Sequence, residues 1–187
     1  MKAKVILYIA MSLDGFIARS NGAIDWLSPF ENKNEDYGYA EFYKNIGAVI
    51  MGNNTYKQTL SFPEFPFKGK NCFVFTRNPI KAKDEHVAFV NTEVKGFIKH
   101  LRVKGKKNIW LVGGAAMVAE FLKCDAIDEF IISVIPVLLG EGIPLFRGNH
   151  DEKAVSLIGV KSFKSGVVQL HYKRKNLLKD NTVFEVD

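Results

Sequence analysis

Cysteine is scarce in this chain, and long apolar runs are absent. The 187 residues include two cysteines, Cys72 and Cys124, whose separation matches neither a disulfide framework nor the ligand spacing of a zinc site. We therefore expect two reduced, partly buried thiols and no bound metal. No apolar stretch approaches the roughly 20 residues that a membrane span needs, which favours a cytoplasmic enzyme or binding protein.

Acidic residues are fewer than basic ones, 20 against 26, so the formal net charge is +6. No acid lies between Glu93 and Glu120, whereas the same stretch contains Lys95, Lys99, Arg102, Lys104, Lys106 and Lys107. Such a cluster is typical of a solvated helix face, and it also matches a polyanion-binding patch. Zinc-finger spacing, a recognition-helix pattern and aromatic residues among the bases are all missing. We therefore expect no nucleic-acid partner, and keep a basic nucleic-acid-binding module as an alternative.

The most informative pattern is a buried strand, Ile109 to Val112, that ends in Gly113 and Gly114 and opens at Ala115 into a helix-favouring run. A glycine pair at a strand–helix corner leaves backbone N–H groups and the positive helix end facing open space. This arrangement suits a phosphate, although the same glycines also suit tight packing. The junction predicts binding of a nucleotide-like anion.

Strand and helix patterns alternate through most of the chain. Strand-like runs cover 5–10, 48–52, 71–77, 87–90, 109–112 and 129–135, and helical patterns cover 35–44, 55–60, the basic stretch before 108, and 115–123. Two alternating runs, 154–161 and 166–174, predict a closing antiparallel hairpin. The pattern predicts a single α/β domain over 1–175, a mixed and mainly parallel sheet with helices on both faces, and a tail over 176–187.

Several segments, in order, resemble the dihydrofolate reductase superfamily, and most closely its stand-alone proteins similar to the carboxy-terminal reductase domain of bifunctional riboflavin-biosynthesis enzymes. The matching segments are Ser12–Ala18, Gly22–Leu27, Met51–Tyr56, Phe75–Arg77, Val112–Gly114 and Pro136–Phe146. The resemblance implies a dihydrofolate reductase-like three-layer fold, NADPH as the cofactor, and a homodimer.

The resemblance also implies a set of cofactor contacts: Gly52, Asn53, Asn54, Thr55, Thr76, Arg77, Val112, Gly113, Gly114 and Ala115. In the family, the helix after the segment ending at Gly52 and the glycine pair both face the pyrophosphate. The position of Arg77, with Thr76, lies near the adenosine ribose, where a guanidinium can bind the 2′-phosphate of NADPH. An arginine usual in dihydrofolate reductases is replaced here by Asn53.

The substrate side is less well defined. Trp26 is expected as a pocket wall because of its place in the loop, and Ser133 matches a strand threonine of the family. Hydride addition to a C=N bond needs a proton, for which a buried carboxyl with a raised pKa is suited. The resemblance places an acid at Glu31, and Asp25 and Asp14 are the other candidates.

The favoured function is an NADPH-dependent reductase acting on a small nitrogen heterocycle or a ribosylaminopyrimidine-type substrate. A nucleotide-binding protein of the same fold that has lost catalysis is the second hypothesis. The Pro-Cys-x-x-Cys part of the zinc deaminase signature is absent, so we expect no deamination. A Gly-x-Gly-x-x-Gly fingerprint does not follow the first strand, which disfavours the common dinucleotide-binding fold.

Overall fold

The computed structural model describes residues 2–31, 35–77, 84–148 and 150–175, so the predicted tail over 176–187 lies outside the described residues. The elements are β1 (Val5–Ser12), β2 (Phe16–Ala18), a 3-10 helix (Asp25–Phe30), α1 (Tyr39–Lys44), β3 (Ile46–Gly52), α2 (Asn53–Thr59), β4 (Asn71–Phe75), β5 (Val87–Val90), α3 (Val94–Lys104), β6 (Asn108–Gly113), α4 (Ala115–Lys123), β7 (Glu129–Ile135), β8 (Ile143–Pro144), β9 (Val155–Ser162) and β10 (Val168–Arg174). Among these residues, no helix has the length and apolar character to span a membrane.

Eight strands form one sheet in the order β5-β4-β3-β6-β1-β7-β10-β9. The first six strands in this order are parallel, whereas β10 is antiparallel to both β7 and β9. The predicted mixed, mainly parallel sheet with a closing hairpin is confirmed. A separate antiparallel pair, β2 with β8, was not predicted because its strands have only three and two residues.

Helices cover both faces of the sheet and give three layers. On one face, α3 and α4 pack on the central strands around Leu7, Leu111 and Phe121, each fully buried. On the other face, the aromatic side chains of α1 surround Trp110 of β6, and Tyr56 of α2 belongs to the same core cluster. Alternate residues of each buried strand therefore enter different cores, which is why the strands read as continuous apolar runs.

Helix α1 begins later in the chain than the sequence pattern predicted. The pattern over 35–44 predicted a helix, but α1 begins only at Tyr39 because Gly38 has a φ of +79° and precedes it as the N-cap. The Asp36 carboxylate accepts hydrogen bonds from the amides of Gly38 and Ala40 at 2.9 and 3.0 Å, and so fixes this start.

The predicted basic patch is smaller than its sequence indicates. Arg102 of α3 is half-buried, forms an ion pair with Asp128, and donates to the carbonyl oxygen of Ala126. The charge of Arg102 is therefore paired with a carboxylate of the same chain, whereas Lys95 and Lys99 stay exposed on the same helix. This division is typical of a solvated helix face.

Candidate functional site

Two strand–helix junctions lie side by side at the carboxyl edge of the parallel strands. β3 ends at Gly52 and α2 begins at the next residue, while β6 ends at Gly113 and α4 begins at Ala115. The strands are neighbours in the sheet, and Met51 is opposite Gly113 in register. Two helix amino ends therefore open at one place, which is where ligands bind in open parallel sheets.

In the described part of the chain, neither helix start carries a side-chain cap. Gly52 is the N-cap of α2 and Gly114 that of α4, and neither helix has a side-chain hydrogen bond at its cap. Asn53 and Asn54 lie in the first turn of α2, which begins two residues before the helix predicted over 55–60. The amides of a first helical turn have no partner within the helix, and they carry the positive end of the helix dipole. Both ends therefore suit the same anion.

A narrow slot separates the two junctions. A Cβ built on Gly114 would lie 3.5 Å from Oγ1 of Thr55 in α2 and 3.9 Å from Cδ1 of Ile17 in β2. The glycine thus leaves a space that any side chain would begin to fill. Gly113 has a φ of +120°, a conformation that L-residues rarely adopt, so this position requires glycine for its backbone.

Asn53 is partly exposed, but one atom of its side chain is buried. Within the described residues, its Oδ1 is buried and has no hydrogen-bond partner. An unpaired buried acceptor costs free energy, and rotation of the amide would exchange Oδ1 for the Nδ2 donor. The side chain that replaces the family arginine thus keeps hydrogen-bonding capacity at the start of α2.

Thr76 and Arg77 directly follow β4, and Arg77 is exposed. The segment is held by its backbone, because the Thr76 amide donates to the Val90 carbonyl at 3.0 Å and Asn91 Nδ2 donates to the Arg77 carbonyl at 3.2 Å. The guanidinium is therefore displayed from a fixed backbone at the same edge of the sheet as the helix starts.

Trp26 lies in the 3-10 helix and is almost fully buried, against Ile135 and Val167. Its indole Nε1 is buried and has no acceptor among the described residues. A buried N–H group without a partner is uncommon, and a bound molecule or water with an acceptor atom would satisfy it. The sequence predicted a wall residue here, but not an unpaired donor.

Ser133 belongs to a neutral polar group that also contains Gln169 and Tyr8. Gln169 of β10 donates from Nε2 to Ser133 Oγ and to the Tyr37 carbonyl, both at 3.2 Å, and the Tyr8 hydroxyl donates to the same carbonyl at 3.3 Å. Burial raises the pKa of Tyr8, so the hydroxyl is neutral at physiological pH. Sequence reasoning missed Gln169, although a glutamine between apolar residues of a strand is a usable signal of a buried polar contact.

The three candidate acids are all exposed. Asp25 forms an ion pair with Arg19 at 2.7 Å, whose hydrogen bond lowers the pKa of that carboxyl. A hydrogen bond from Ser12 lowers the pKa of Asp14, and Glu31 follows the 3-10 helix directly. The raised pKa expected of a catalytic acid is therefore not found at Asp14 or Asp25, because donors, not apolar groups, surround their carboxylates.

Comparison with known proteins identifies the family. The model of the RibD C-terminal domain matches residues 65–169, more than half of the chain. The chain belongs to this family. It is also 49% identical, over 93% of its length and 99% of the relative's, to the uncharacterized protein YwjB of Bacillus subtilis (strain 168).

Structures of other proteins share the fold of this RibD C-terminal domain. A protein of Shewanella sp. PV-4, described as a riboflavin biosynthesis protein, has a TM-score of 0.83 and 32% identity, with 94% of this chain and 99% of that chain covered. The deaminase/5-amino-6-(5-phosphoribosylamino)uracil reductase of Thermotoga maritima has a TM-score of 0.72 and 18% identity over 93% of this chain, which spans 57% of that longer protein. Dihydrofolate reductase from Enterococcus faecalis, complexed with NADP(H), has a TM-score of 0.65 and 19% identity, with 94% of this chain and 99% of that chain covered. The resemblance to dihydrofolate reductases and riboflavin-pathway reductases, and the predicted three-layer fold, are confirmed.

Proposed function

We propose that this chain is an NADPH-dependent reductase that transfers hydride to a small nitrogen heterocycle of the ribosylaminopyrimidine or pterin type. The observation that carries the proposal is the pair of uncapped helix starts at one slot of a RibD C-terminal domain fold. Two helix amino ends that point at the same space match a pyrophosphate, which bears negative charge on both phosphates. A reductase is also named among the proteins of this fold.

The residues at the slot fit such a cofactor. The first-turn amides of α2, from Asn53 to Thr55, and the amide of Ala115 would bind the phosphates. Gly114 would permit close approach, because it adds no side chain of its own between Thr55 and Ile17. Ile17 and Thr55 would form the two walls and exclude water from the bound phosphates.

Arg77 supports NADPH over NADH. The guanidinium projects from the end of β4, next to β3 in the sheet, and would pair with a phosphate on the adenosine ribose. A hydroxyl in place of that phosphate offers a weaker, neutral partner, so we propose a preference for the phosphorylated cofactor.

The substrate side supports a neutral heterocycle. Trp26 offers an indole N–H that has no acceptor among the described residues, and Ser133 and Gln169, which are bonded to each other, offer a hydroxyl and an amide oxygen. These groups can orient a ring by hydrogen bonds to its carbonyl or nitrogen atoms. The bound cofactor supplies the hydride. None of the candidate acids is buried, so Asp14, Asp25 and Glu31 lie where water has access and proton supply from solvent is possible.

We also propose a homodimer that forms through the closing hairpin. β9 is an edge strand of the sheet, and it exposes Val155, Leu157, Ile158 and Val160 by 38, 53, 46 and 54%. An edge strand with apolar side chains on its surface is a site for association, and a second copy offers a surface of the same composition.

Turnover distinguishes the reductase from a binding protein without activity. NADPH oxidation should be followed at 340 nm with dihydrofolate, a dihydropterin and a ribosylaminopyrimidine phosphate, each at several concentrations. The proposal predicts saturable, substrate-dependent oxidation with at least one of the three. Saturable NADPH binding without turnover on any of them would favour the inactive nucleotide-binding protein instead.

A further inference from the structure

Two segments that are distant in sequence are joined at the carboxyl edge of the sheet. The glycine loop, defined here as residues 136–146, connects β7 to the region before β9 and contains β8. β8 pairs with β2, and hydrogen bonds of 2.9 Å run from the Leu13 amide to the Val137 carbonyl and from the Leu145 amide to the Gly15 carbonyl. The glycine loop therefore lies against the whole β1–β2 turn.

Asp14 lies at the centre of this contact. Its carboxylate accepts hydrogen bonds from the amides of Leu139 and Gly140 at 3.1 and 2.7 Å, and from the Ser12 hydroxyl at 2.5 Å. Ser12 is fully buried, and its Oγ in turn accepts from the Phe16 amide at 2.9 Å. The carboxylate thus connects two glycine-loop amides with a hydroxyl that holds the first residue of β2.

This environment is unsuited to a proton donor. Three donors surround the Asp14 carboxylate and stabilise its charged form, and the pKa is lowered first by the Ser12 hydrogen bond and also by those of Gly140 and Leu139. A carboxylate that accepts from two backbone amides is typical of a loop contact, in the same way as a side-chain cap satisfies the amides of a helix start.

The contact extends to the cofactor slot through β2. Ile17, the central residue of β2, provides the wall whose Cδ1 lies 3.9 Å from a Cβ position on Gly114. The glycine loop packs so closely on β2 that a Cβ on Gly142 would overlap the Ala18 carbonyl oxygen. A shift of the glycine loop would therefore move β2 and with it one wall of the slot.

We propose that Asp14 is a positioning residue that ties the glycine loop to β2 and so fixes Ile17 beside Gly114. The identity of the molecule in the slot rests on the proposed function, whereas the tie itself does not. The consequence is that Asp14 sets the affinity of the slot for its cofactor and takes no part in proton transfer.

Hydrogen exchange and kinetics together test this role. Asp14→Ala removes all acceptors, Asp14→Asn keeps one side-chain oxygen, and Glu141→Ala removes an exposed carboxylate from the same loop as the matched control. We expect exchange at the Leu139 and Gly140 amides to rise about 10-fold or more in Asp14→Ala, less in Asp14→Asn, and not in Glu141→Ala. We expect the KM for NADPH to rise about three- to tenfold in Asp14→Ala with kcat changed less than about twofold.

The outcomes separate the tie from the proposed function. Unchanged exchange at both amides in Asp14→Ala and Asp14→Asn would overturn the tie, whether or not the protein is a reductase. A loss of kcat in both variants with unchanged KM would identify Asp14 as a proton donor and also overturn it. If the wild-type protein shows no turnover, hydrogen exchange at the Leu139 and Gly140 amides still tests the tie. If Asp14→Ala does not fold, both measurements are made on Asp14→Asn.

Discussion

Replacing Gly114 by valine is expected to abolish cofactor binding while the fold is retained. Gly114 has a φ of −79°, which any L-residue adopts. A Cβ there would lie 3.5 Å from Thr55 Oγ1 and 3.9 Å from Ile17 Cδ1, both ordinary van der Waals separations. The side chain therefore fits the free protein, but its two γ-methyl groups would fill the slot that we assign to the pyrophosphate.

The expected loss of affinity is large and the change in stability small. A hydrogen bond from a backbone amide to a charged phosphate contributes about 1.5–3 kcal/mol, so loss of two such bonds weakens binding by roughly 100-fold or more. Removing a glycine at a compatible φ stabilises the folded state by about 0.4–1 kcal/mol, which offsets minor crowding around the γ-methyl groups. The thermal midpoint should therefore shift by only about 2–4 °C.

NADPH titration followed by cofactor fluorescence, together with thermal unfolding, measures both quantities. Gly113→Ala is the matched comparison: its φ of +120° is unfavourable for alanine, so this variant should lose stability as well as affinity. Normal NADPH binding by Gly114→Val would show that the glycine pair serves packing only. A large loss of stability in Gly114→Val would show that the slot does not have the space described.

Three further results are expected. Arg77→Ala should weaken NADPH binding about 10- to 100-fold and NADH binding little, and equal affinities of the wild-type protein for both cofactors would contradict the role of Arg77. Burial alone raises the pKa of Glu129, but hydrogen bonds from Lys4 and His171 outweigh it and lower the pKa below its ordinary 4.5. The stability that Glu129 contributes is thus present above pH 4.5 and lost as the pH falls through the lowered value. Urea unfolding should therefore show a shallower acid decline for Glu129→Gln, and identical pH profiles would refute this. Light scattering at tens of micromolar should give the mass of a dimer for the wild-type protein and of a monomer for Leu157→Asp, whereas a monomeric wild-type protein would exclude the dimer.

The fold follows from the sequence where burial controls the pattern. Strands buried on both faces give continuous apolar runs, so β1, β3 and β7 were predicted within two residues of their ends. The start of α1 was predicted four residues early, since helix formers extend to Glu35 while Gly38 and Asp36 decide the boundary through a backbone conformation and a side-chain bond. Periodicity contains neither kind of information.

The local backbone geometry of the candidate site was predicted from the sequence, whereas its contacts between distant residues were missed. The glycine junction at 113–115 is local, and its uncapped helix follows from the residues themselves. The two backbone amides that bond to Asp14 lie 125 and 126 residues away along the chain, so no spacing indicates them. The link between Gln169 and Ser133 likewise depends on the pairing of β10 with β7.

The assignment of the cofactor phosphates to the two helix starts is tested most directly by backbone NMR during an NADPH titration. We predict saturable chemical-shift changes that are largest at the amides of Asn53, Asn54, Gly114 and Ala115, with a smaller group around Arg77. The Gly114→Val substitution should remove these changes. Changes that instead centre on the exposed lysines of α3, or no saturable change at millimolar NADPH, would contradict the account.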